Sequence, residues 1–346
     1  MFMGFFCTSV VGFGALGVDV SYISMSKSQA QAVADAASHA AMITYRYSNA
    51  STVDGRVADA RAAAEHIVEV NPVGLDGSAD LASLQFGVFD PDTGQFQAGA
   101  TPYNAAQADV ERSAANALQL MLAPMLGQHT ADISEGGVTA AASREVIVVV
   151  DRSCSMAWPW SDPGYRGVKQ SLEVFSEYMV EHQVPEDRLG ITSFSSNGDT
   201  WEPLTYIDGN EVHILDRWSS WGPCPSPDDP QYDYACQGGT YQHRGIDPAV
   251  SHLSGSTNRT AFQAIIVISD GNPSSSWAAS QFLRATEDAW DEDIHVWTVA
   301  FGQNINHTLM EQATKGVGSY YPLPSSNGLE EVMLAIARSI PVTIAE

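Results

Sequence analysis

The sequence predicts an α/β protein: a doubly wound, mainly parallel open sheet over 144–340, preceded by an N-terminal transmembrane or stalk helix and a small β-rich domain. Three observations predict this. Strand-like and helix-like segments alternate from residue 145 onward, which is the pattern of an open sheet covered by helices on both faces. Three of those strands, REVIVVVD, TAFQAIIVISD and DIHVWTVAFG, are near-continuous apolar runs, as expected where both faces of a parallel sheet are buried. The first 23 residues, in contrast, carry one charge, Asp19, and lead into an Ala-rich segment without Gly or Pro.

Composition narrows the function classes. The 346 residues hold 16 Lys+Arg against 41 Asp+Glu, a formal net charge of −25. That excess argues against a nucleic-acid surface, because phosphate neutralisation needs clustered cations. It suits a body that attracts cations.

Taken in order, residues 1–24 are long and apolar enough to be read as an anchor helix at 1.5 Å per residue. The competing reading, a cleaved signal peptide, needs a basic start, a shorter apolar core and a small-residue cleavage site. No basic residue precedes the run, which continues directly into a helical pattern. Asp19 is costly in an apolar helix unless it meets a partner or an interface. Residues 25–71 are expected to form a helical stalk or hairpin, broken at Asn49 and Ser51 and stopped at Asn71-Pro72. Its spacing suggests a face of Ala32, Ala36, Ala40 and Ile43. Within 72–143, LASLQFGVFDPDTGQFQAG reads as a β-hairpin. Next, ADVERSAANALQLMLAPMLG starts as a strand and ends as a helix, and ADISEGGVTAAA closes with a strand. In the C-terminal region, VKQSLEVFSEYMVEH is amphipathic, with Val168, Leu172, Phe175 and Met179 on one face.

The chemistry gathers at strand ends. One buried strand runs into Asp151-Arg152-Ser153-Cys154-Ser155, another into Asp270-Gly271-Asn272, and Gly238-Gly239-Thr240 precedes a helix. In doubly wound folds, ligands bind outside the carboxyl ends of the strands. Carboxylates and hydroxyls are hard oxygen donors, suited to Mg²⁺, Ca²⁺ or Mn²⁺ and poorly suited to zinc. No nucleophile–base pair is evident: Cys154 has no His placed to serve it, and the G-x-S-x-G turn is absent. Cys224 and Cys236 flank a short polar loop. They are read either as a disulfide worth about 3 kcal/mol or as two free thiols. Trp158, Trp160, Trp218, Trp221, Tyr232 and Tyr234 cluster in sequence around the first and third of these loops; they are read either as an exposed contact rim or, for some of them, as packing the inserted loop against the body.

REVIVVVDRSCSM, GGT and VISDG, in this order, resemble the von Willebrand factor A domain, a Rossmann-like fold, and its metal-ion-dependent adhesion site. The resemblance implies Asp151, Ser153, Ser155, Thr240 and Asp270 as metal residues, Mg²⁺ first among the candidates, with an acidic group of a protein or surface partner completing the coordination. GVDVSYISMSKSQAQAVADAASHAA, with Asp19, Gln29, Gln31, Asp35, Ala36 and Ala37, resembles the anchor of TadE/TadG-like Flp/Tad pilus-assembly proteins. That resemblance implies a membrane-anchored or pilus-associated protein. Its A domain would face the periplasm or the cell surface, and its N-terminal helix would meet the membrane or pilin-like subunits. The implied function is non-enzymatic adhesion or pilus assembly.

Overall fold

The computed structural model describes residues 2–48, 50, 52–75, 77–90, 93–157, 164–221, 238–258, 261–302, 305–314, 318–323, 325–340 and 344–345, the side chains of 2–16, 157 and 344–345 excepted. The chain divides into two compact units, Met1–Ala141 with Ile344–Glu346, and Ala142–Thr343.

In the first unit, helix α1 (Phe2–Tyr47) and helix α2 (Val53–Val70) flank the break expected at Asn49 and Ser51. Thr52 caps α2, its Oγ1 accepting from Gly55 N at 3.1 Å. Strands β1 (Asp80–Asp90) and β2 (Gln95–Ala98) form the expected hairpin, and β3 (Ala105–Arg112) pairs with β1. The short strands β4 (Leu118–Gln119) and β5 (Thr130–Ala131) pair with each other, and β6 (Ile133–Ala141) pairs with β3. The helix expected near residue 120 is a single 3₁₀ turn, Ala123–Leu126. Pro124 gives up a backbone donor, and Gly127 ends the turn at φ 90°.

The segment expected as a stalk is packed onto this sheet. The face it buries is Ala30, Val33, Ala34, Ala37 and Ala41, rather than Ala32, Ala36, Ala40 and Ile43. Alanines surround the helix, so their spacing does not choose a side; the sheet does. A side-chain carbon at Gly137 of β6 would sit 2.6 Å from Asp35 N, so only glycine lets the helix backbone come this close. Gln31 Nε2 donates to Gly136 O at 2.9 Å, and the Ser38 and Thr139 hydroxyls meet at 2.8 Å. Asp19 finds its partner inside the unit: its carboxylate accepts from the backbone N–H groups of Met121 at 2.7 Å, Leu122 at 2.9 Å, and Ala123. The apolar run is helical, but among the described residues no helix is long and apolar enough to cross a membrane.

The second unit begins with β7 (Arg144–Asp151), helix α3 (Gly164–Glu181), β8 (Arg188–Phe194), β9 (Gly198–Tyr206) and helix α4 (Glu211–Ser219). It continues with helix α5 (His243–Ser254), β10 (Phe262–Ser269), helix α6 (Ser276–Asp291) and β11 (His295–Phe301). Helix α7 (His307–Gln312), β12 (Tyr320–Leu323) and helix α8 (Leu329–Ser339) complete it. The strand order is β12-β11-β10-β7-β8-β9. All neighbours are parallel except β9, which runs antiparallel to β8 at the edge, so the sheet is mixed. The winding reverses between β7 and β10, the position where doubly wound sheets open a ligand crevice.

Every residue of β7 is buried. Val146, Val148 and Val150 face one layer with Phe175 and Met179 of α3 and Met333 of α8. Ile147 and Val149 face the other, with Ile246 of α5 and Phe282 of α6. This two-sided burial is why the strand reads as an unbroken apolar run. The predicted face of α3, Val168, Leu172, Phe175 and Met179, is the buried one. After α8, strand β13 (Ile344–Ala345) returns to the first unit and pairs antiparallel with β6.

Candidate metal centre

The crevice lies at the carboxyl ends of β7 and β10. Asp151 closes β7 with its side chain fully buried. Its Oδ1 accepts from Ser153 N at 2.8 Å, which folds the following residues into a tight loop, and its Oδ2 accepts from Ser269 Oγ at 2.7 Å. The loop turns the Ser153 and Ser155 hydroxyls together at 2.9 Å, and Ser155 Oγ donates to Asp270 Oδ1 at 2.8 Å. The third loop is tied in through Ser274, whose Oγ accepts from Thr240 N at 2.7 Å. A side-chain carbon at Gly271 would stand 3.8 Å from Thr240 Oγ1 and 3.9 Å from Ser155 Oγ. Both hydroxyls therefore face the same small space. The five residues singled out from the sequence, Asp151, Ser153, Ser155, Thr240 and Asp270, are brought to one crevice from three loops.

Two acidic side chains lie close together in this crevice, and burial governs both. Burial pushes the Asp151 carboxyl above its ordinary value, against hydrogen bonds from Ser153 and Ser269. Burial, followed by the charge of Asp151, pushes Asp270 up to about 7. The neighbouring arginines are committed to other groups. Arg152 pairs with Asp199 on β9 at 3.5 Å and stands 5.6 Å over the Trp201 ring. Arg244 reaches Asn197 Oδ1 at 2.9 Å. Among the described residues no three His, Cys, Asp or Glu side chains gather as a metal cluster, so any ion here relies on hydroxyls and two carboxylates. That donor set fits a hard dication, which keeps waters in its shell.

Two of the expected rim residues are core residues. Trp218 and Trp221 are buried. The apolar side of α4, Ile214 and Trp218, packs into the layer that holds α3, and Trp218 stacks on Phe175 with ring centres 5.8 Å apart. Trp158, Trp160, Tyr232, Tyr234 and the pair Cys224 and Cys236 lie outside the described residues. Cys154 is exposed between the two serines.

Sequence reasoning missed Ser269 and Ser274, which position Asp151 and Thr240, although both lie in the ISDGNPSSS segment that holds Asp270. It also missed the aromatic group beside the crevice. Tyr241, His243 and Trp277 meet edge to face at 5.4 to 6.5 Å, and Trp277 is exposed. Tyr241 directly follows Thr240, and Trp277 follows the Asp270 loop, so adjacency to those motifs was the available signal.

Residues 1–64 match the family described as Putative Flp pilus-assembly TadE/G-like. The N-terminal segment is TadE/G-like. No curated protein matches this chain. Among solved structures, proximal thread matrix protein 1 from the mussel byssus is similar at 16% identity over 57% of this chain and 47% of its own, with a TM-score of 0.46. This chain thus spans about half the length of that protein, which has also been solved with zinc in its MIDAS motif. Von Willebrand factor type A from Catenulispora acidiphila is similar at 12% identity over 76% of this chain and 51% of its own, TM-score 0.45. The pilus adhesin SpaC from Lactobacillus rhamnosus GG is similar at 14% over 77% and 36%, TM-score 0.47.

Proposed function

We propose that this TadE/G-like chain is a non-enzymatic, pilus-associated adhesion or assembly module. Its second unit holds a divalent cation and offers it to an acidic group on a protein or surface partner. Asp151, Ser153, Ser155, Thr240 and Asp270 would hold the ion, with Mg²⁺ favoured over Ca²⁺ or Mn²⁺ because few protein carboxylates are present. The bound ion supplies a positive charge that attracts a carboxylate. The residues of this chain do the rest: Ser269 and Ser274 fix the donors, and burial of Asp151 keeps water from one side of the site.

The observation that carries this reading is the convergence of hydroxyl and carboxylate oxygens from three loops, where burial and the neighbouring Asp151 push Asp270 up to about 7. The N-terminal run supports the location. It would hold the protein in a membrane or among pilin-like helices, with the second unit in the periplasm or at the cell surface. The test is Asp151→Ala, with folding checked by circular dichroism and Mg²⁺ binding measured by calorimetry. Loss of both Mg²⁺ binding and chelator-sensitive adhesion is expected. Normal adhesion by the folded variant refutes the adhesive role and favours a purely structural place in the pilus.

A further inference from the structure

The surface of the first unit changes character around residues 18–25 of α1. Asp19 holds the backbone of Met121–Ala123 against the helix through three N–H groups. One turn along, Tyr22 Oη accepts from Leu75 N at 3.0 Å and brings in a second loop. These ties collect large apolar side chains that stay in solvent: Val18 and Val20 on the helix, Leu75 at 72% exposure, and Met121, Met125 at 78% and Leu126 at 65%. Soluble surfaces rarely gather such groups without an interaction to serve.

The charge pattern says what covers them. Asp19 is the only charged residue before Lys27, and it is 2% exposed with its oxygens already engaged. The stretch 113–131, which includes the Met121–Leu126 turn, has no Asp, Glu, Lys or Arg. The patch is also continuous with an uncharged helix: residues 2–18 extend it by about 25 Å at 1.5 Å per residue, close to the roughly 30 Å hydrocarbon core of a bilayer. The first exposed charge on α1, Lys27, stands about 12 Å beyond Asp19 and 3.8 Å from Glu135. An acidic partner or a nucleic acid finds no complement here, whereas a lipid surface does.

We infer that this collar is a lipid-contact surface. Residues 2–18 enter a bilayer, and Leu75, Met121, Met125 and Leu126 settle in its interfacial layer, setting the depth at which the folded unit stops. The inference rests on the membrane-anchored form of the function proposed above and adds the seat of the unit on the membrane. Asp19 acts as the clasp: its carboxylate is engaged by backbone donors of its own chain instead of being left unpaired where the collar meets the bilayer.

The native methionines supply the probes. The full chain, carrying ¹³C-methyl methionine, is reconstituted in phosphatidylcholine nanodiscs with or without a lipid bearing a nitroxide high on its acyl chain. Met121→Leu and Met125→Leu assign the two signals. The Met121 and Met125 methyls are expected to lose at least half their intensity, while Met310 and Met333, buried in the second unit, keep theirs. Met3 reports the anchor. Broadening of Met3 with Met121 and Met125 as sharp as Met333 overturns the collar and leaves the anchor standing. Failure of the chain to enter the discs overturns the anchored form, and the collar with it. Signals of Met121 and Met125 that ignore the nitroxide but shift with protein concentration assign the patch to a second copy, which also overturns the lipid contact.

Discussion

Replacing Asp270 by Asn reads the electrostatics of the crevice directly. Asn keeps an oxygen to accept from Ser155 Oγ but carries no charge. In the metal-free protein Asp270 is pushed from 3.8 up to about 7. Each unit corresponds to 1.36 kcal/mol, so three units amount to about 4 kcal/mol. Water reaching the half-buried carboxylate reduces this to about 2–4 kcal/mol. Well below pH 4 the carboxyl is protonated both folded and unfolded, and it costs nothing. From pH 4 to 7 the unfolded chain ionises while the folded one resists, so stability falls; above 7 the full cost is present. In chelator, Asp270→Asn should therefore match the wild type near pH 3 and exceed it increasingly up to pH 8. For a unit of about 200 residues that is roughly 5–15 °C in melting temperature. Scanning calorimetry of the full chain, following the transition of the second unit, measures it. Excess Mg²⁺ at pH 8 should raise the wild type and leave the variant unchanged. A difference between the two proteins that does not vary with pH, or a variant less stable than wild type at pH 8 in chelator, refutes the reasoning.

Three further outcomes follow from the packing. Ser269→Ala removes the hydroxyl on Asp151 Oδ2; it should cost about 1–3 kcal/mol and weaken Mg²⁺ binding, as calorimetry will show. Trp218→Ala empties a buried, stacked position and should cost about 3–5 kcal/mol by denaturant melt, whereas Trp218→Phe should leave partner binding intact, since this ring lies in the core. Gly137→Ala forces a methyl to within 2.6 Å of the α1 backbone and should destabilise the first unit by about 1–3 kcal/mol, visible as faster hydrogen exchange in α1 and β6.

The parts legible in the sequence are those with a strong local signal. β7 and β10 announce themselves because both faces are buried, and the meeting of Asp151, Ser155 and Asp270 because both strands end at the switch point of an open sheet. β9 escaped notice because an edge strand buries little: of its nine residues only Glu202 is buried, and Pro203 interrupts the pattern. The two tryptophans were placed on a rim from nearness in sequence, but α4 turns Trp218 inward once Ile214, four residues earlier, faces α3. The face of α1 was illegible for the opposite reason: with alanine on every side, the deciding residues are Gly136 and Gly137, a hundred positions away. Asp19 looked like a liability in an apolar helix until its donors, equally distant, were known.

The pairing of β13 with β6 makes the second unit an insertion in the first: the chain leaves the first unit after Ala141 and is back in it at Ile344. β13 is two residues long and pairs at Ile344 and Ala345, so this return is weak beside the peptide chain at 142–143. A cut at 142–143 would leave the second unit held to the first by that two-residue strand. The boundary at 142–143 is therefore where a single cut should separate the two units.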